Sequence, residues 1–133
     1  PFRREVALGR IIGDTANANG KVFAAFKTPA ERAEILARPR PQLTAHTIVD
    51  ADELAKELDG VAAEGVAFDL EERNLGTCAV AAPVRDQLGR VIAAISVIVP
   101  SGRFGPEERV EYAEAVKSTA ASLSAFLGYG RRD

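Results

Sequence analysis

The sequence predicts an α+β domain in which helices pack around an antiparallel β-sheet. Residues 76–100 form two apolar stretches with the two-residue alternation of strands, joined by a short polar connection. Residues 50–64 and 106–127 instead carry apolar side chains at the three- and four-residue spacing of amphipathic helices. Two consecutive strands joined so tightly must pair antiparallel, so a hairpin is the centre of the predicted fold.

Length and composition favour one globular domain. The chain has 133 residues, 47% of them hydrophobic, which is enough for a core and excludes a disordered chain. The formal net charge of −2 argues against nucleic-acid binding by this piece alone, because such domains usually present a basic face. A single cysteine cannot form an internal disulfide, which favours a reducing compartment.

Targeting signals and membrane spans are not predicted. No apolar run approaches the roughly 18 residues that a membrane span needs, and no signal-peptide pattern is present. The sequence contains no Met and begins at Pro1, so we expect its start to be a fragment boundary. Within residues 1–13, a short strand is predicted at 6–8 or at 10–12.

Residues 14–26 are predicted to form the first helix. Thr15 or Asn17 can cap it, and Val22 lies in its apolar stripe. Gly20 falls in the first turn, where free amides and small residues could receive an anion. The segment by itself favours an ordinary capped helix that packs on a sheet, because every helix start has such amides.

A second helix begins at Thr28 with a strong local signal. Thr28 can cap it, Pro29 occupies the first helical position, and Glu31 completes a capping box. Ile35 and Leu36 are predicted to face inward, and the Arg-Pro-Arg-Pro sequence that follows ends the helix.

Residues 43–49 are predicted to be a short extended segment. It contains His46, the only histidine, which is interpreted as a surface or packing residue because no second ligand or nucleophile lies nearby in the sequence. The helix over 50–64 follows, capped by Asp50 and ended by Gly65 in the left-handed conformation.

Residues 66–75 begin as a strand and then become acidic. Carboxylates in such a group could serve acid–base chemistry or bind a metal. Glu71 and Glu72 are interpreted instead as a solvated strand end. Asp69 is of more interest because it leads directly towards the hairpin.

The two faces of the hairpin differ in side-chain size. A turn centred on Gln87 and Leu88 pairs Val84 with Val91 and divides the strands into a bulky face and a small-residue face. The bulky face is Cys78, Val80, Ala82, Val84, Val91, Ala93, Ile95 and Val97. The small-residue face is Thr77, Ala79, Ala81, Pro83, Ile92, Ala94, Ser96 and Ile98.

Different partners are expected for these two faces. The last helix, opened by Pro106 and closed by Gly128, should cover the bulky face with a stripe of Val110, Ala113, Val116, Ala120, Leu123 and Leu127. The small-residue face leaves room either for a ligand or for a large side chain from elsewhere in the chain.

Several motifs together resemble the effector-binding domain of the isocitrate-lyase-regulator (IclR) family of bacterial transcription factors. They are NGK and FAAF in the first helix, LTAHTIVDADELAKELDGVAAEGVAFDLEE, and VAAPVRDQLGRVIAAISV. The resemblance covers roughly residues 15–127 and implies a GAF-like antiparallel sheet with packed helices, truncated at its N-terminal side. It implies that residues 1–133 are a single effector-binding domain fragment without the family's N-terminal DNA-binding winged helix.

The resemblance also implies partners and a location. A small organic or aromatic acid would be the effector, the protein would form a homodimer or tetramer in the cytoplasm, and operator DNA would be contacted only through the missing domain. We expect no catalytic residue, metal or cofactor, and no membrane partner.

The family's ligand positions can be placed on this sequence individually. They fall on Ala18, Asn19, Gly20, Asp69, Ala79, Ser96 and Ile98. Ala79 stands where the family usually has a cysteine, and Ile98 where it usually has a second serine. These two departures remove polar groups and favour a more apolar or aromatic ligand, or a pocket with altered function.

Two other interpretations remain open. The chain could be a dimerisation domain with a filled pocket and no effector. It could also be a small enzyme that uses Cys78, His46 and the carboxylates, although Cys78 is predicted on the bulky face and would be a buried thiol there.

Overall fold

The computed structural model describes residues 14–131. In chain order these form α1 (Ala18–Ala25), α2 (Pro29–Ala37), α3 (Ala51–Glu64), β1 (Ala67–Leu70), β2 (Thr77–Arg85), β3 (Val91–Pro100), a 3-10 turn (Ser101–Arg103) and α4 (Pro106–Phe126). The strands form one antiparallel sheet in the order β1-β2-β3. The α+β prediction is confirmed, whereas the strand predicted at 6–8 or 10–12 lies outside the described residues.

The predicted helix caps are confirmed. The side chain of Asn17 accepts from the Gly20 amide and starts α1, and Thr28 forms the full capping box with Glu31 at the start of α2. Asp50 caps α3, and Gly65 ends it at φ 71°. A left-handed φ is readily adopted by glycine because it has no Cβ, which explains why this helix ends here.

The segment 43–49 is not extended, so that prediction is wrong. Thr47 Oγ1 accepts from the Leu43 and Thr44 amides and donates to Glu72 O at 2.6 Å, which closes the segment into a turn. Threonine hydroxyls that bond nearby amides compete with strand pairing. His46 is exposed on this turn, as predicted.

The predicted hairpin turn is correct, but the strand register is displaced by two residues. Gly89 N donates to Asp86 O, and Gly89 has φ 78°, so the turn carries a one-residue bulge. A second irregularity lies between Val84 and Arg85, and Val84 therefore pairs with Ala93 instead of Val91. Each one-residue shift turns the side chains of β3 to the opposite face, so two shifts return them to the predicted face. Most of the predicted face assignments are therefore correct.

Val91 is the exception to the predicted faces. It lies between the two irregularities and packs with the core on the α1 side, opposite to the prediction. A single inserted residue moves a side chain to the other face of a strand because the side-chain period is two.

Each face of the sheet supports its own core. On the α4 side, Cys78, Val80, Ala82, Val84 and Val99 pack with Phe104, Ala113, Val116 and Ala120, which confirms that the last helix covers the bulky face. On the other side, Ala67, Ala79 and Ala81 pack with α1 and α3 through Ala18, Val22, Leu54, Leu58 and Val61, and with the half-buried Ile35 and Leu36.

The buried stripe of α4 is narrower than predicted. Val110 is 67% exposed, and Leu123 and Leu127 are each 40% exposed. Ser124 instead takes the buried position one turn after Ala120, where it accepts from the Arg85 amide at 2.8 Å. This hydroxyl ties the end of α4 to the end of β2.

Candidate functional site

The small-residue face brings the predicted strand positions together in two rows. Asp69, Ala79 and Ile98 are Cα partners across β1, β2 and β3. The neighbouring row on the same face is Ala67, Ala81 and Ser96. Four of the predicted ligand positions therefore lie on one face within two adjacent rows.

Helix α1 covers this face, and its direction is fixed by contacts at both ends. Near its start, Lys21 Nζ donates to Phe68 O on β1 at 2.7 Å. At its end, the guanidinium of Arg85 lies 4.6 Å from the centre of the Phe26 ring, close to the hairpin turn. The first turn of α1 therefore lies at the Asp69 end of the sheet, where the prediction places the ligand.

The start of α1 offers free amides at this point. The Gly20 amide is satisfied by Asn17 Oδ1 at 2.8 Å, and the Ala16 amide by Asp14 Oδ1 at 2.7 Å. Among the described residues, neither the Ala18 amide nor the Asn19 amide donates a hydrogen bond. Such amides, at the positive end of a helix dipole, suit a carboxylate.

The side chain of Asn19 adds an unpaired acceptor. Its Oδ1 is buried and has no hydrogen-bond partner in the described part of the chain. Buried polar atoms are nearly always paired, so this acceptor is a candidate partner for a donor outside the described residues.

Asp69 is buried, with 5% exposure, and its Oδ1 accepts from the Glu72 amide at 2.9 Å. Burial raises the pKa of Asp69 to about 6, and the nearby Glu72 carboxylate adds to the rise, whereas the Glu72 amide and the Lys21 ammonium lower it. Asp69 is thus a hydrogen-bond acceptor whose pKa depends on burial and on the charges of Glu72 and Lys21.

Sequence reasoning missed a buried ion cluster beside Asp69. Lys21 is completely buried, and its ammonium lies 3.0 Å from Glu57 Oε1 and 2.7 Å from Glu72 Oε1. The interpretation of Glu72 as part of a solvated strand end is wrong, because its exposure is only 5%. The sequence did contain a signal for this cluster: Lys21 follows Ala18 at helical spacing and therefore lies within the stripe of α1 that faces the core.

The predicted site is only partly open. Ala18 is 1% exposed and Ala79 is 7% exposed. Both belong to the same buried apolar cluster. Asn19, Ser96 and Ile98 remain half-buried. A ligand would therefore meet the half-buried side chains and the first turn of α1, with the alanines forming the wall behind.

No catalytic constellation is found among residues 14–131. Cys78 lies on the opposite face from the candidate site, 5% exposed, with its Sγ 3.5 Å from Ser101 Oγ. His46 is exposed on its turn. The same residues contain no group of three or more His, Cys, Asp or Glu side chains arranged to hold a metal ion.

A cleft on the other side of the sheet does not coincide with the candidate site. It has a volume of about 210 Å³ and is lined by Glu64, Val66, Phe68, Arg109, Val110, Ala113, Glu114 and Lys117. Its walls are α4, Phe68 on β1 and the junction between α3 and β1, so it shares no residue with the predicted ligand positions.

The helices of the described segment are too short or too polar to cross a membrane.

Comparison with known protein families assigns the chain to one of them. A sequence model described as "Bacterial transcriptional regulator IclR C-terminal" matches residues 3–125. The chain belongs to the IclR family. The resemblance seen in the motifs is therefore confirmed, and the chain corresponds to the C-terminal domain of these regulators.

Relatives and solved structures agree with this family. The chain is 37% identical over 131 residues to the glycerol operon regulatory protein of Streptomyces griseus, covering 97% of this chain and 51% of that protein. It is similar to the C-terminal domain of the Escherichia coli regulator KdgR, with a TM-score of 0.79 and 34% identity over 86% of this chain and 71% of that one.

A second similar structure contains a ligand. It is a double mutant of the inducer-binding domain of PobR from Acinetobacter in complex with 3-hydroxybenzoic acid, with a TM-score of 0.79 and 26% identity over 92% of this chain and 74% of that one. The present chain spans about half the length, or less, of the curated relatives that it matches. These relatives are named as transcription regulators, which argues against an enzymatic role.

Proposed function

We propose that this chain senses a small organic acid, with an aromatic acid as the favoured class, and thereby controls DNA binding by a winged-helix domain that precedes it in the family. The observation that carries the proposal is the position of the α1 start. The amides of Ala18 and Asn19, which have no acceptor among residues 14–131, lie at the end of the sheet where Asp69, Ala79 and Ile98 form one row.

The chemistry of the site supports a ligand with both a carboxylate and a hydroxyl. The carboxylate would accept from the free amides of Ala18 and Asn19. Asp69 and Asn19 Oδ1 are acceptors, so they require a donor such as a ligand hydroxyl. Ser96 would supply one hydrogen bond, and Ile98 would pack against the apolar body of the ligand.

Regulation would follow from a shift between arrangements of a homo-oligomer. A ligand that binds one arrangement better than another increases its population, and linked DNA-binding domains move with it. We place this function in the bacterial cytoplasm and propose no enzymatic activity. The buried Cys78 thiol supports that choice because a thiol packed among apolar side chains is not an activated nucleophile.

A thermal-shift screen tests this proposal. A ligand specific for the native state must raise the melting temperature, by an amount corresponding to about 2.7 kcal/mol at a hundredfold excess over Kd. The panel contains 3-hydroxybenzoate, benzoate, short hydroxy acids and the uncharged 3-hydroxybenzyl alcohol. A larger rise with at least one acid than with the alcohol is expected, and no rise with any acid would contradict the proposal.

Two phenylalanine variants locate the site. Ala79→Phe should abolish the ligand-induced rise because it fills the wall behind the ligand, and it should also cost about 1–3 kcal/mol by overpacking. Ala93→Phe is the matched control, since Ala93 is exposed on the same hairpin. Equal ligand shifts in both variants would place the ligand elsewhere.

One observation favours a dimerisation domain without an effector. Ala79 and Ala81 lie in the same core cluster as Ala18 and Val22, so part of the small-residue face is already filled by α1. In that case no acid would shift the melting temperature, and the oligomeric state measured by sedimentation would be unaffected by Ser96→Ala.

A further inference from the structure

The ammonium of Lys21 has no hydrogen-bonding capacity left for a ligand. A lysine ammonium carries three N–H donors. In this structure it donates to Glu57 Oε1 at 3.0 Å, to Phe68 O at 2.7 Å and to Glu72 Oε2 at 2.9 Å. Its influence on a bound effector must therefore act through other groups.

These three contacts join three separate parts of the fold to the start of α1. Glu57 lies on α3, Phe68 on β1, and Glu72 on the connection between β1 and β2. Lys21 itself lies in the turn that follows Ala18 and Asn19, and its amide donates to Asn17 O. A long side chain in a helix points back towards the N-terminus, so the Lys21 ammonium lies beneath the first turn of α1.

Glu72 is held as tightly as Lys21. Both of its carboxylate oxygens lie within 3 Å of the ammonium, and Oε2 also accepts from the Leu70 amide. The Glu72 amide donates to Asp69 Oδ1, and its carbonyl accepts from Thr47 Oγ1. The ion pair thus connects the helix start directly with the backbone that orients Asp69.

The balance of charge around Asp69 depends on Lys21. Lys21 on α1 and Glu72 on the connection are the charged groups that act on it, and its neighbours on β2 and β3 are Ala79 and Ile98. Within the described residues, Lys21 is the only buried cation beside two buried carboxylates. Without it, those carboxylates would repel an acid that approaches the α1 amides.

We infer that Lys21 is a positioning residue of the effector site: paired with Glu72, it holds the first turn of α1 above Asp69 and compensates the negative charge that an acidic effector would otherwise meet. This inference rests on the proposed function for its ligand, but the linkage between Lys21, Glu72 and Asp69 can be measured without any ligand.

The ligand-free experiment follows the titration of Asp69 by carbon-detected NMR. Lys21→Met should move the Asp69 midpoint upward, and Glu72→Gln should move it downward, because they remove charges of opposite sign. Lys27→Met is the matched control, since it removes the same charge from an exposed position just beyond the end of α1. Midpoints in Lys21→Met and Glu72→Gln that match the control would overturn the inference.

The ligand experiment compares 3-hydroxybenzoate with the uncharged 3-hydroxybenzyl alcohol by calorimetric titration. Lys21→Met should weaken binding of the acid by about tenfold or more, because an unbalanced charge a few ångströms away is worth about one pKa unit or more. The loss should be larger at pH 8 than at pH 5, because Asp69, with a pKa of about 6, is ionised at the higher pH. Lys27→Met should bind like wild type.

The outcomes separate the two proposals. If wild type binds no acid but the Asp69 midpoints move as expected, the proposed function fails and the linkage stands. If Lys21→Met does not fold, Glu72→Gln alone decides the linkage, because glutamine retains an acceptor for the ammonium. Equal losses for the acid and the alcohol, without pH dependence, would show a purely structural lysine and contradict the inference.

Discussion

The two faces of the β2–β3 hairpin bury different kinds of side chain. The α4 face is apolar: Val80, Val84 and Phe104 are at most 3% exposed, and Ser124 supplies the hydroxyl at its edge. The α1 face is lined by alanines but encloses charged groups, with Lys21 at 0% and Asp69 and Glu72 at 5% exposure. Apolar burial stabilises the first face, whereas the second holds ionised groups that cost stability unless they are paired.

This difference indicates that the two faces of one hairpin have different structural requirements. An apolar face needs only complementary volume, which α4 supplies with small residues and one aromatic ring. A face with buried charges must fix each of them by hydrogen bonds, and the same bonds fix the geometry of the helix start. Substitutions on the α4 face should therefore change stability, whereas those on the α1 face should also change the response to ligand.

The largest effect is expected for thiol labelling of Cys78 on the α4 face. Because Cys78 is 5% exposed, labelling requires an opening of the core, and each 1.4 kcal/mol of opening free energy slows it about tenfold. Native protein should react at least about a thousandfold more slowly than protein in urea. Leu88→Cys in a Cys78→Ala background should react fast, since Leu88 is 69% exposed. Fast native labelling of Cys78 itself would contradict the face assignment.

The next effect is the loss of an aromatic side chain from the same face. Phe104 is 2% exposed, and its ring centre lies 6.1 Å from those of Phe68 and Tyr112. Phe104→Ala should lower the free energy of unfolding by about 3–5 kcal/mol. Phe126→Ala, at a position 83% exposed, should change it by less than about 0.5 kcal/mol. Urea unfolding measures both, and similar losses would contradict the assignment of the α4 core.

The third effect is a pH dependence that arises on the α1 face. The pKa of Asp69 is about 6 in the folded chain against an ordinary value of 3.8, so the folded state binds more protons between these values. This group therefore contributes stability at low pH that is lost as pH rises towards 6, on the order of 2–3 kcal/mol.

Asp69→Asn isolates that contribution. From pH 4 to pH 7 the wild type should lose stability relative to Asp69→Asn, because only the wild type ionises a buried carboxyl at this position. The unfolding free energy of the variant minus that of wild type should therefore increase with pH. Asp52→Asn, at an exposed position on α3, should retain the wild-type profile between the same pH values. A constant difference for Asp69→Asn across this range would show that Asp69 is not destabilised by burial.

The helices were predictable because their signals are local. Asn17, Thr28 and Asp50 each accept from an amide three residues later, so sequence spacing alone shows the cap. The faces of the hairpin were predictable for a similar reason, since they depend on parity. The register was not, because the second irregularity at Val84 and Arg85 has no glycine or other local signal.

The candidate site was predictable only in its strand positions. Alternation and family placement put Asp69, Ala79 and Ile98 on one face, and the register aligns them in one row. The role of Lys21 could not be predicted, because its acceptors lie 36 to 51 residues away along the chain. A single sequence shows a charged residue within an apolar stripe but not the partners that neutralise it.

The smallest effect is the sharpest test of the comparison, because it uses two caps whose loss should cost a similar free energy. Asn17→Ala removes the bond to the Gly20 amide at 2.8 Å, and Thr28→Ala removes the bond to the Glu31 amide at 3.2 Å. Each should cost about 1 kcal/mol in urea unfolding. Only Asn17→Ala should also weaken binding of 3-hydroxybenzoate, because Asn17 shapes the turn whose amides would receive the carboxylate, whereas α2 begins beyond the other end of α1. Equal binding by the two variants, at equal loss of stability, would show that the first turn of α1 does not hold the ligand.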